Sequence, residues 1–172
     1  MADFTFVTDN AGLNEALFRV THGLYIVTAR SEDRINGQCL DALMQVTNMP
    51  PRMTIGIGMK SLTYEMIAAS GRFVVSVLDR EDEDGPAVIR RFGFQSGRTV
   101  DKFDGFPHEL TADGIPYLEN AVAVYECTVI PEMTVDLKTH ALFVASVDRA
   151  GTREGGEPLT YNEYRKSIRK GV

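Results

Sequence analysis

Six short runs of β-branched and aromatic residues, each stopped by glycine, proline or a polar cluster, constrain this chain more than any other feature. They cover residues 24–29, 38–46, 53–57, 73–78, 121–130 and 140–149. Runs of this length and alternation fit half-buried strands. Asn36-Gly37 is the strongest short turn signal, so 38–46 is expected to return against 24–29, and Pro50-Pro51 to end it. Helical spacing is confined to short stretches. Leu13, Ala16, Leu17 and Val20 recur on one face ahead of Gly23. Ser61 is placed to cap a helix over 62–70, with Leu62, Met66 and Ile67 as its apolar stripe and Gly71 as its stop. Residues 86–92 read as a short helix opening on Pro86, 93–119 as mostly loop, and 161–170 as a polar, helical tail. The expectation is a mainly β fold, an antiparallel six-stranded barrel decorated with short helices. A βαβ dinucleotide fold is disfavoured: Gly56-Ile57-Gly58 is the only G-x-G, and Ser61 stands where a third glycine would be needed.

The chain has 172 residues, enough for one domain with its own core and no need of disulfides. We expect a single domain over 1–172, with 1–12 and 162–172 as terminal extensions. The formal net charge of -6 argues against a nucleic-acid partner. The acidic run 79–84 reads as a solvated loop. Cys39 and Cys127 are too far apart for a C-x-x-C pair, and the three histidines are scattered, so no metal site is expected. The first residues lack a basic segment followed by an apolar run, and no apolar stretch approaches the roughly 20 residues of a membrane span. A cytoplasmic chain without membrane contact is the expectation, and two free thiols suit a reducing compartment.

No residue names a catalyst outright: G-x-S-x-G, H-E-x-x-H and Walker patterns are all missing. Lys60, Ser61 and Thr63 at a helix start could bind a phosphate, since a helix N-terminus offers free N–H groups and partial positive charge. A capped helix with a solvent lysine accounts for the same residues. His140 opens an apolar strand and is either structural or a hydrogen-bond donor to a ligand. Cys39 reads as a small buried hydrophobe rather than a nucleophile. Phe92, Phe94 and Phe103 are core residues or a stacking surface for a planar ligand.

Taken in order, several segments resemble the flavin-reductase-like FMN-binding split-barrel family, which includes archaeal ferric reductases, flavoredoxins and the flavin-reductase module fused to rubredoxin. They are Gly23-Leu24-Tyr25-Ile26-Val27-Thr28, Asn36-Gly37-Gln38, Gln45-Val46-Thr47, Thr63 with Met66-Ile67, the run from Ser70 to Leu78, Arg91-Phe92-Gly93-Phe94, Asp101-Lys102-Phe103, Thr139-His140 and Leu159-Thr160-Tyr161. The resemblance covers residues 14–165. It implies a six-stranded antiparallel Greek-key split β-barrel, a homodimer, and FMN in a groove near the dimer interface. The flavin ring would rest against Cys39, Leu40, Asp41, Ala42, Gln45, Val46 and Thr47, and the phosphate beside Lys60, Ser61 and Thr63. Arg91 and Phe94 would help to close the pocket. His140 would stand where NADH or NADPH brings its nicotinamide to the flavin. Two departures accompany this. Cys39-Leu40-Asp41-Ala42 replaces the family's T-A-N-T, and 58–63 keeps only Thr63 of N-K-x-N-x-T. Three readings stay open: an NAD(P)H-dependent flavin or ferric reductase, an electron carrier that exchanges electrons with a redox protein partner and has no nicotinamide site, and a flavin-binding module of weakened affinity.

Overall fold

The computed structural model describes residues 3–168. Its strands are β1 (Tyr25–Ser31), β2 (Arg34–Leu40), β3 (Leu43–Asn48), β4 (Pro51–Gly58), β5 (Arg72–Val77), β6 (His108–Leu110), β7 (Pro116–Leu118), β8 (Ala123–Val129), β9 (Val135–Asp136) and β10 (His140–Thr152). The helices are α1 (Asn10–Leu17), α2 (Leu62–Ser70), α3 (Gly85–Phe94) and α4 (Tyr161–Glu163), the last continuing in wider turns over Tyr164–Ile168. Residues 169 and 170 of the expected tail helix lie outside the described residues. One antiparallel sheet runs β2-β1-β5-β8-β10-β4-β3, with β9 beside β10, and β6 and β7 form a separate hairpin. Its two end strands, β2 and β3, are consecutive in the chain and meet at the Asp41-Ala42 bend, as in a split barrel.

Alternation along β1 assigns its two faces. Val27 and Ala29 enter a core inside the barrel with Ile55, Ile57, Phe73, Val75 and Phe143. Leu24 and Ile26 point the other way, into a second core with Val88, Ile89 and Phe92 of α3. Helix α2 reaches the first core through Met66 and Ile67. Its ends are those read from the sequence: the Ser61 hydroxyl accepts the Tyr64 N–H, and Gly71, at φ 69°, stops it in the left-handed region.

Several expectations are corrected. Asn36-Gly37 makes no turn. The β1–β2 hairpin closes earlier, at Glu32-Asp33 between paired Ser31 and Arg34, with Glu32 at φ 52°. Gly37 lies mid-strand because a ring packs on it: a Cβ there would sit 3.1 Å from both Phe92 and Thr28. The single strand over 38–46 is two strands, since the Leu43 N–H turns back to the Asp41 carbonyl and breaks the ladder. Helix α1 covers 10–17 and stops well short of Gly23, which pairs instead with Thr160. Within the expected loop 93–119, β6 and β7 form a hairpin of three-residue strands, too short to give a periodic signal. The acidic run is the solvated loop expected over most of its length, with Arg80, Glu81, Glu83 and Asp84 exposed, but its first residue is anchored. Asp79 is buried and takes the Glu81 and Glu157 N–H groups and Arg153. Burial pushes the Asp79 carboxyl up, yet these partners outweigh it and hold the group below its usual range.

Candidate flavin site

Three elements separated in sequence meet at the start of α2: the outer end of β2, the Gly58-to-Ser61 turn, and the stretch from the end of α3 to Lys102. Between them is a cavity of about 260 Å³ lined by Asn36, Gln38, Cys39, Lys60, Ser61, Thr63, Gly93, Ser96, Arg98 and Lys102. The Leu62 and Thr63 N–H groups have no intrahelical acceptor there. Thr63 is buried, and its hydroxyl accepts a 2.9 Å bond from the Asn36 amide. Asn36 therefore earns its place by fixing the first turn of α2 against β2.

Lys102 is the residue that sequence reading missed. It is only 5% exposed, yet it carries an ammonium group. Its Nζ donates to the Gly37 carbonyl (2.9 Å) and the Phe92 carbonyl (3.0 Å), joining β2 to α3. Two of three donors are thereby used. No carboxylate pairs with it among the described residues. Burial lowers the Lys102 pKa to about 8. Its placement follows from Asp101, whose side chain takes the Phe103 N–H in a tight turn, and from Phe103, which stacks edge-on against Phe92 at 5.1 Å. The quoted Asp-Lys-Phe run was a signal for it, but an isolated lysine reads by default as solvated.

Burial, then the nearby Asp41 charge, pushes the Cys39 thiol up to about 12, so it is a wall of the cavity and not a nucleophile. Leu40 belongs to the barrel core. Ala42 lies against Gly56, where a Cβ would come within 3.3 Å, and its carbonyl takes the Gly56 N–H. Gln45, Val46 and Thr47 lie along edge strand β3, where the Thr47 hydroxyl donates to the Pro50 carbonyl. His140 pairs in register with Gly58, two residues before Lys60. Its Nδ1 shares a 2.9 Å hydrogen bond with the Thr139 hydroxyl, and its Nε2 lies toward Gly58. Of the Gly56-x-Gly58 pair, only Gly56 serves a close approach; at Gly58 a Cβ would stand an ordinary 3.8 Å from the His140 ring.

Other candidates lie apart. Arg91 does not face the cavity; it donates to the Asp101 carbonyl and lies over the Phe106 ring at 5.3 Å. Phe92 and Phe103 are core, while Phe94 is 73% exposed at the end of α3. A larger concavity, about 520 Å³, lies between the β6–β7 hairpin and the far ends of β8 and β10. Its acids Glu119 and Glu126 balance Arg149 and Arg153, and none of the residues singled out from sequence lines it. The smaller cavity carries Lys60, Arg98 and Lys102 in a chain of net negative charge. Three cations around one cavity are an arrangement able to attract an anion.

Known proteins resemble this chain in sequence and fold. A High molecular weight rubredoxin from Moorella thermoacetica is 40% identical over 159 residues, covering 92% of this chain and 67% of that protein. A Ferric-chelate reductase (NAD(P)H) from Archaeoglobus fulgidus is 36% identical over 151 residues, 87% of each. The solved FMN-binding protein from Thermus thermophilus with bound p-hydroxybenzaldehyde has a TM-score of 0.74 and 26% identity, over 90% of this chain and 83% of its own. The family described as Flavin reductase like domain matches residues 17–168, and the chain belongs to it.

Proposed function

We propose that this chain is an NAD(P)H-dependent flavin reductase that holds FMN along the β2–β3 edge, its phosphate end at the start of α2. The observation that carries the reading is buried Lys102, which lines one cavity with Lys60 and Arg98 and has two backbone carbonyls but no carboxylate as partners. A buried cation is costly unless an anion accompanies it. Lys60, Ser61, the first N–H groups of α2, Arg98 and Lys102 fit a phosphate. Family membership and the names of the relatives supply flavin and NAD(P)H as the chemistry.

A flavin held beside Asp41 to Thr47, with its phosphate at Lys60, Ser61 and Thr63, would supply the capacity for hydride acceptance and onward electron transfer. The chain's own residues bind and orient. Lys102 fixes β2 against α3 and so sets the wall that Gln38 and Cys39 present. The backbone from Asp41 to Thr47 offers hydrogen-bonding groups beside the ring. His140, steadied by Thr139, orients the nicotinamide through Nε2 and transfers no proton. Asp41 can accept a hydrogen bond from a flavin N–H but cannot donate to a flavin carbonyl as an amide would.

Absorbance titration with FMN, followed by NADH and NADPH oxidation, tests the reading. Tight FMN binding with turnover supports it. FMN binding without oxidation of either nicotinamide would favour an electron carrier, a reading to which the rubredoxin relative lends weight. The absence of FMN binding would leave only the weakened binding module.

The reading extends to assembly and setting. Edge strand β3 exposes Met44 and Val46, and Met49 follows at 91% exposure. Exposed apolar residues on an unpaired edge beside the site fit a homodimer whose second copy covers the groove. No helix among the described residues is long and apolar enough to cross a membrane. Free Cys39 and Cys127 fit a cytoplasmic setting. One domain over 1–172 completes the proposal.

A further inference from the structure

We propose that Arg98 is exchanged between Glu65 and the flavin phosphate, so that Glu65 is a built-in competitor setting how strongly the site prefers a phosphorylated flavin. This rests on the phosphate placement proposed above.

Glu65 is the acidic residue of the first turn of α2. Its cationic partner is Arg98, whose Nη2 donates to Glu65 Oε1 at 2.5 Å and lies 3.5 Å from the Lys60 carbonyl. The guanidinium thus lies across the start of α2, at the cavity that Arg98 itself lines. A carboxylate already occupies the cation and helix dipole that a phosphate would use. The two side chains are 47% and 51% exposed, and an ion pair so wet is weak. A phosphate brings up to two charges and three strong acceptor oxygens to a planar, bidentate donor. It therefore outcompetes the single carboxylate.

The loop that carries Arg98 is pinned beside it. Arg34 donates to the Gly97 carbonyl, and Gly97 lies so close to Asn36 that a Cβ would overlap its side chain at 1.9 Å. The backbone is fixed, and the exchange is left to the long Arg98 side chain. Lys102, buried at the same cavity with two carbonyl partners and no carboxylate, adds a further positive charge for a phosphate to meet.

The test is equilibrium binding of FMN and riboflavin to the wild-type chain, Glu65→Gln, Arg98→Ala and the double variant. Both residues are exposed, so the variants keep the fold. Glu65→Gln is expected to tighten FMN about two- to fivefold and leave riboflavin unchanged. Arg98→Ala is expected to weaken FMN about tenfold or more, and adding Glu65→Gln to it should change nothing further. Weaker FMN binding in Glu65→Gln would show that Glu65 positions Arg98 rather than competes, and would overturn the exchange. So would equal tightening of both flavins, or tightening that persists without Arg98. Equal affinity of the wild-type chain for FMN and riboflavin would instead overturn the phosphate placement beneath it.

Discussion

Burial brings the Lys102 ammonium down to about 8, and two opposite pH dependences follow. Without ligand, the unfolded chain holds this proton from about pH 8 to about 10.4, the ordinary lysine value, while the folded chain has released it. Lys102 therefore lowers stability below pH 8, and that cost is relieved as pH rises through the window. A phosphate reverses the preference, because it is attracted only to the charged form. FMN affinity is expected to fall between pH 7 and 9 with riboflavin affinity nearly flat, as fluorescence titration at both values will read. The Cys39 thiol, at about 12, stays neutral across this range and does not confuse the signal. Lys102→Met should remove the FMN limb while keeping most of the packing against Phe92. A second residue-scale prediction concerns Gly37. An alanine there puts a methyl 3.1 Å from Phe92 and Thr28, both fully buried, so thermal unfolding should report a loss of about 1–3 kcal/mol. Unchanged stability would mean α3 lifts freely from β2, and the cavity wall is not rigid.

Among the elements, α2 is the most legible from sequence, because both of its stop signals are local. Ser61 supplies a hydroxyl where a free N–H needs one, and Gly71 supplies the positive φ that ends the helix. Ser61→Ala should cost about 1 kcal/mol by chemical denaturation. It should also loosen the turn that carries Lys60. Strand β1 is legible for a similar reason, since period-two burial is written into its side chains. The β1–β2 hairpin is not. Asn36-Gly37 satisfies the composition of a turn, yet both residues are recruited by tertiary contacts: Asn36 to Thr63 across 27 residues, and Gly37 to Phe92 across 55. The same limit governs the site. Cys39, Lys60, Ser61 and Thr63 could be singled out in advance and do line one cavity. Arg98 and Lys102 could not, because nothing local distinguishes a lysine buried between two carbonyls from one in water. Arg91 shows the converse. It lies in a segment shared with the family, but its guanidinium is committed to Asp101 and Phe106.

At the scale of the molecule, a barrel that leaves β2 and β3 as the ends of its sheet has an edge to cover. Among the described residues strand β3 pairs with β4 on one side only, and its outward face exposes Met44 at 60% and Val46 at 47%, with Met49 beyond. An apolar, unpaired edge in water invites association unless charge or a covering segment blocks it. Here neither Met44 nor Val46 carries charge, and the strand is the same one that walls the proposed flavin groove. Covering the edge and completing the groove are thus one event. Sedimentation or light scattering is expected to give twice the mass of one chain. Replacing Met44 and Val46 together with Glu should yield a monomer that keeps its fold, since both side chains are outside the barrel core, but binds FMN more weakly. The charge would also repel the partner's matching edge, because a two-fold interface meets itself. A variant that remains dimeric with unchanged FMN affinity would move the interface elsewhere, to the exposed apolar face of α1 around Leu13 and Leu17. A variant that is monomeric yet binds FMN as tightly as before would separate the two roles, leaving β3 as an association edge and the flavin site complete within one chain.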